Sequence, residues 1–307
     1  MSNHTDRARG YALGLLGVVI FAMTLPMTRL AVGDASDPQL APAFVTAGRA
    51  GLAGLLSLAY LRWVGAAWPA RAHWRALGIC ALGTVLGFPL FLALALRHAD
   101  AMHAAVVTGV LPLGTAVAAA LVLRQRASFG FWLCALSGCA LVLAFAALRG
   151  QGRLSAADGL LLLAVASASI GYVAGAQVSS KLPAEQVICW VLVCSLPFTL
   201  PAMALTWPVD AAAVRLSAWG GLAYVTLFSM WLGFFAWYRG LALGGVMRVS
   251  QVQLVQPFLA LLFAVPVLGE RLDATTVLFA LAVMVVVLIG KRMPVQNPVA
   301  LQREPVR

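Results

Sequence analysis

Arg49 lies inside an apolar run, APAFVTAGRAGLAGLLSLAYL, and needs a chemical reason to be there. A charge at the middle of a membrane helix costs about 2.5–3.5 kcal/mol on insertion scales, so such residues face a bundle interior and hold a partner. All ten acidic residues, from Asp6 to Glu304, fall in tails, connections or helix ends, which leaves no mid-membrane carboxylate to pair with it. Two readings stay open. The guanidinium receives a carboxylate or phosphate of a solute in a central cavity, or it satisfies backbone carbonyls and locks the bundle.

A second group of polar residues sits in the run from 248 to 268, where Ser250, Gln251, Gln253 and Gln256 interrupt an otherwise apolar helix. Gln253 and Gln256 are three apart, hence on one face, and Pro257 beside them frees a backbone carbonyl one turn back. Amide groups next to an open carbonyl can hydrogen-bond a polar solute; bonding between helices accounts for the glutamines as well. Tyr224 and Trp231 share a helix face, and Tyr172 sits midway along another run, so these aromatics could enclose an organic solute or simply pack. Glu270 is the acid best placed for a role in coupling or conformational change; pairing with Arg271 or capping the next helix is its structural alternative. His98 and His103 flank a helix end and read as solvated.

The five cysteines, Cys80, Cys134, Cys139, Cys189 and Cys194, lie in apolar runs and read as small packing residues. The sequence contains no HExxH, CxxC, GxSxG or phosphate-binding glycine loop. These observations predict a protein with no cofactor or metal and no catalytic constellation. A membrane-embedded enzyme acting on a lipid-like substrate is the alternative, and it would need a His/Asp/Glu cluster near one interface.

The elements that position these groups follow from composition. Of 307 residues, 62% are apolar and 10% charged, against about 25% charged in a soluble domain. The net charge of +11 is scattered between apolar runs rather than gathered on one arm, which argues against nucleic acid as a partner. Ten runs approach the roughly 20 residues needed to cross a bilayer, at about 11–29, 40–62, 76–96, 101–123, 128–148, 159–180, 186–206, 216–239, 248–268 and 274–290. The first, from Tyr11 to Met27, is long enough to span and lacks a convincing small-residue cleavage site, so it reads as the first membrane helix of the mature protein.

Ten spans place both termini on one side. The connections on that side hold Arg7, Arg9, Arg62, Arg71, Arg75, Arg124, Arg126, Lys181, Arg239, Arg248, Lys291, Arg292, Arg303 and Arg307. The opposite side holds Arg29, Arg97, Arg149, Arg153, Arg215 and Arg271. Fourteen against six predicts cytoplasmic termini. Trp63, Trp68, Trp74, Trp132, Trp207, Trp219 and Trp237 fall near the ends of runs, as headgroup-level residues do.

The two halves repeat. With Pro112 laid on Pro257, Ala95 to Ser128 aligns without a gap on Gly240 to Asp273: Leu96 on Leu241, Met102 on Met247, Leu123 on Leu268 and Arg126 on Arg271. Each unit then holds five spans. An odd number makes the second unit enter the membrane from the opposite side, an inverted repeat of the kind on which many secondary transporters are built. The predicted fold is all-α, with ten transmembrane helices as two inverted five-helix repeats, residues 10–149 and 156–291, followed by a cytoplasmic tail at 292–307.

The second-half run YRGLALGGVMRVSQVQLVQPFLALLFAVPVLGERLDATTVLFALAVMVVVLIG resembles the C-terminal unit of the EamA-type members of the drug/metabolite transporter superfamily. The resemblance is carried by Tyr238, Leu241, Ala242, Pro257, Gly269, Glu270 and Gly290, and in the first half by Ala95, Leu96, Pro112, Gly130 and Gly138. It covers Tyr11 to Gly290 and implies a ten-helix exporter of amino acids, other small metabolites or drugs, resident in the bacterial inner membrane. Gln125 stands where the pattern favours Glu, so Glu270 alone would serve the conformational role. The expected partners are a small-molecule solute, membrane lipids, a coupling proton or ion and a second copy of the chain. Arg49, Tyr172, Tyr224, Trp231, Gln253 and Gln256 are the expected substrate-binding residues. Glu270, Pro112 and Pro257 are the expected conformational ones.

Overall fold

A backbone in hydrocarbon must satisfy its own hydrogen bonds, and long apolar runs do so as helices. The structure, a computed structural model, describes residues 2–122, 126–179, 181–244, 249–293 and 295–296. Among the described residues, eight helices are long and apolar enough to cross a membrane: α1 (Ala8–Val32), α2 (Pro42–Trp63), α3 (Arg71–Leu96), α4 (Ala101–Val122), α5 (Phe129–Arg149), α6 (Ala156–Ser179), α7 (Glu185–Leu205) and α8 (Leu216–Leu241). Two shorter apolar helices follow, α9 (Val252–Leu268) and α10 (Ala274–Gly290). The protein is an all-α integral membrane protein with the ten-helix, two-repeat fold expected from its sequence. Of the expected tail, the described part beyond α10 includes Val295–Gln296, paired antiparallel with Arg126–Ala127.

The packing respects the exchange of each helix with the one five places on. α1 packs on α8 and α9, and α6 packs correspondingly on α3 and α4; α2 packs on α7, α4 on α9 and α5 on α10. Glycines set the closest approaches. A Cβ on Gly83 of α3 would lie 2.5 Å from the Ser167 carbonyl oxygen of α6, and one on Gly240 of α8 would lie 2.6 Å from the Gly14 nitrogen of α1.

Two irregularities repeat with the sequence. α3 contains a π-helical turn at Ala81–Gly87 and α8 one at Val225–Leu232. The shift that lays Pro112 on Pro257 lays the first of these on residues 226–232. π-turns of this kind concentrate at functional sites. The same shift relates two caps: Ser128 accepts a hydrogen bond from the Phe131 amide at the start of α5, and Asp273 accepts one from Thr276 at the start of α10.

Helices α4 and α9 are also uneven. α4 is interrupted after Thr108 and resumes at Leu111, one residue before Pro112. The regular α-helical part of α9 begins at Gln256, after a 3-10 segment at Ser250–Val255. The two prolines therefore sit where their helices change winding, as residues that cannot supply a backbone donor do.

Large apolar side chains, among them Leu136, Phe198 and Leu278, face outward, as a lipid-facing surface requires. Trp63, Trp68 and Trp207 are exposed near helix ends. Trp237, placed by its sequence position among the interfacial tryptophans, is instead buried against Phe21 of α1.

Candidate functional site

Glycines position Arg49. Gly51 and Gly54 let α2 lie close to Leu200 and Leu196 of α7, so the opposite face of α2 turns toward α1 and α8. There Arg49 is 3% exposed. Its Nη2 donates to Ser229 Oγ at 3.1 Å, and Ser229 shares a 2.8 Å hydrogen bond with Thr24 of α1. Ser229 belongs to the π-turn of α8. Among the described residues, Nε and Nη1 of Arg49 have no hydrogen-bond partner.

These groups open onto a narrow chamber of about 80 Å³ whose wall includes Phe21, Thr24, Thr84, Phe88, Thr108, Tyr172, Ser229, Phe234 and Gln256. Among the described residues, no Asp, Glu or Lys contributes to that wall. Thr84 and Thr108 spend their hydroxyl protons on the carbonyls of Cys80 and Ala104 in their own helices, at 2.6 and 2.7 Å.

Phe21, Tyr172 and Phe234 are shared with a wider cavity of about 360 Å³. That cavity extends past Cys80 near the start of α3 to Ser179 at the end of α6 and Leu241 at the end of α8, so it lies toward the N-terminal face of the bundle. A third, mainly apolar cavity lies among α4, α9 and α10, and Pro112, Pro257, Gln253 and Gln256 all line it.

The structure thus gathers Arg49, Tyr172 and Gln256 around one chamber, with Gln253 in the two cavities that adjoin it. Tyr224 and Trp231 are not among the residues lining these three cavities. The Tyr224 hydroxyl donates to the Ile20 carbonyl of α1 at 3.1 Å and its ring stacks on Phe228. Trp231 packs edge-on to Tyr60 and against Phe235. The side chains of Ser250 and Gln251, and Gln125 altogether, lie outside the described residues.

The opposite face holds recesses of about 500 and 430 Å³ that share no lining residue with the Arg49 chamber, and side-chain bonds join the helices around the larger one. Asp100 precedes α4 without capping it. Glu270, in the connection between α9 and α10, supplies the cap across the repeats: its two carboxylate oxygens accept the amides of Ala101 and Met102 at 2.7 and 2.8 Å. A carboxylate there also meets the positive end of the α4 dipole. Burial raises the Glu270 pKa above the usual glutamate value, opposed by those two amide bonds. Among the described residues, no hydrogen bond joins Glu270 to Arg271 or to α10.

Further ties surround this cap. Arg29 donates to the carbonyls of Leu96 and Ala99, and Arg97 to those of Val32 and Leu40 at 2.9 and 2.8 Å. Arg149 of α5 pairs with Asp273 and bonds Thr276 of α10. His103, expected to be solvated, lies instead against Asp158 of α6, with Nε2 2.6 Å from Oδ1; their side chains are 13% and 6% exposed. The Ser155–Asp158 capping box is visible in sequence as S-x-x-D. The histidine it meets comes from another helix, so nothing local announces the pair.

Comparison with known proteins agrees with this architecture. The model of the EamA-like transporter family matches twice, at residues 8–147 and 155–290. The chain is 41% identical to the uncharacterized transporter YdeK of Bacillus subtilis (strain 168), over 92% of this chain and 97% of that protein. It is 22% identical to the uncharacterized transporter YyaM of the same organism, over 92% and 95%. A solved structure described only as "Crystal structure of protein" superposes with a TM-score of 0.62 at 17% identity, covering 93% of this chain and 97% of that one, a likeness of fold. Matched along both halves, this chain belongs to the EamA-like transporter family.

Proposed function

We propose that the protein is a secondary transporter that exports a small organic metabolite, an amino acid or similar amphipathic solute, across the bacterial inner membrane by alternating access. In this reading both termini are cytoplasmic, and the five-helix units 10–149 and 156–291 are the bodies that move. Arg49, Tyr172 and Gln256 form the solute site, Gln253 lines the approach to it, and Tyr224 and Trp231 hold the surrounding helices. Pro112 and Pro257 let α4 and α9 change winding where they cross. Glu270 holds the outer side shut through its bonds to α4.

One observation carries the reading: the Arg49 chamber shares Phe21, Tyr172 and Phe234 with a wider cavity on the N-terminal face, while the recesses on the other face share no lining residue with it and the Glu270 cap joins the helices there. An inverted repeat supplies the second state, because exchanging the conformations of the two units would open the tied face and close the other.

The test is transport by the purified full chain in proteoliposomes, with solute and ion gradients imposed separately. Saturable solute movement that exchanges across the membrane is the expected result. A protein that turns over a lipid but moves no solute would replace the transporter with the membrane-embedded enzyme.

A further inference from the structure

Charge balance in the chamber limits what it can carry. Arg49 is 3% exposed, with two nitrogens unpartnered and one donating to a neutral hydroxyl. Among the described residues it forms no ion pair, and the wall around it contains no carboxylate. A buried charge left alone is strongly disfavoured, so a ligand bearing one negative charge is the species the chamber stabilises most. The planar guanidinium fork matches a carboxylate.

The rest of the wall decides the remainder of the ligand. Phe21, Phe88, Phe234 and Tyr172 supply aromatic wall, Gln256 a neutral amide, and the Thr84 and Thr108 hydroxyls, whose protons are committed within their own helices, only neutral acceptors. An ammonium group on the solute would find no carboxylate to neutralise it, and it would add a second positive charge beside Arg49.

We infer that the preferred cargo is an organic monoanion: one carboxylate bound at Arg49 in the chamber, an apolar or aromatic body passing Phe21 and Phe234 into the adjoining cavity of about 360 Å³, and no ammonium group. This rests on the chamber being the transport site. It narrows the solute class away from zwitterionic amino acids and cationic drugs.

Four probes share one carbon body and differ only in charge: 3-phenylpropionate (anion), phenylalanine (zwitterion), 3-phenylpropanamide (neutral) and phenethylamine (cation). Each is tested with the wild-type full chain for thermal stabilisation in detergent and for uptake or counterflow in proteoliposomes. The anion should bind and move at least about tenfold better than the other three, the factor that one charge-assisted hydrogen bond supplies. Arg49→Lys should lose most of that preference, because it keeps the charge but not the fork. Arg49→Gln should lose all of it.

Equal or better handling of phenylalanine, the amide or the amine overturns the monoanion while leaving the transporter standing. Failure of all four probes to bind overturns it too. Stabilisation by the anion without movement supports the ligand class and removes the transport role from the site. The ranking needs only the wild-type protein, so an unstable Arg49 variant leaves the test intact.

Discussion

Removing the Glu270 carboxylate should loosen the tied face by an amount the structure allows to be worked out. The carboxylate caps two otherwise free amides at the first turn of α4, at 2.7 and 2.8 Å, and Asp100 makes no cap bond in its place. Loss of an N-cap costs about 1–2 kcal/mol. The charged acceptor argues for the upper end of that range, and the desolvation that raises the Glu270 pKa argues for the lower end. A change of this size multiplies a minor open population by about 5–30.

Ala105 reports that population. It lies on α4 one turn beyond the cap and is 1% exposed. In a background with the five native cysteines replaced by alanine, Ala105→Cys should react with a membrane-impermeant maleimide added outside about 5–30 times faster when Glu270→Ala is present. While the open form is scarce and exchanges quickly, the labelling rate follows its population. Glu185→Ala is the control, since Glu185 pairs with Arg239 at the opposite face. Unchanged labelling in Glu270→Ala, or an equal increase in the control, would refute the idea that the cap ties the outer side.

Acidification should act on the same equilibrium. Burial raises the Glu270 pKa in the tied state, so that state binds a proton more tightly than one with a solvated carboxylate; the tied state gains as pH falls through the raised value toward 4.5. Ala105→Cys labelling should slow over that range, and a Glu270→Gln protein that still shows the same slope would exclude Glu270 as its source. Replacing Gly83 by Ala forces a methyl group to within 2.5 Å of the Ser167 carbonyl, which should cost about 1–3 kcal/mol and appear as a lower melting temperature. An unshifted melting curve would show that α3 and α6 separate more easily than their contact implies. Cysteines placed at Gly33–Asp37 or near Asp210 should label from outside, and those at 67–72 only after permeabilisation; reversed labelling would overturn the cytoplasmic termini.

Much of this protein was legible along the chain because the membrane reduces folding to few choices. Apolar runs of the right length must be helices, charge between them biases their direction, and a gapless match around Pro112 and Pro257 makes two halves of five. Arg49 was conspicuous for the same reason, since a charge in such a run demands an explanation.

Tertiary structure decided which groups meet. Tyr172 and Gln256 share the chamber with Arg49, while Tyr224, equally aromatic and equally placed in a run, is spent on the Ile20 carbonyl. Helices that are apolar all round carry little signal of which face turns inward, so periodicity could not separate these cases. The π-turns that bring Thr84 and Ser229 to the wall depend on helix packing and have no simple sequence mark.

Glu270 and His103 show the limit most directly. Their partners, the α4 amides and Asp158, lie 168 and 55 or more positions away, and only the crossing of one repeat against the other brings them within hydrogen-bond reach. Residue types and spacing determine what each group can do. The packing of ten helices, which removes water from some groups and leaves it on others, decides which of them do it.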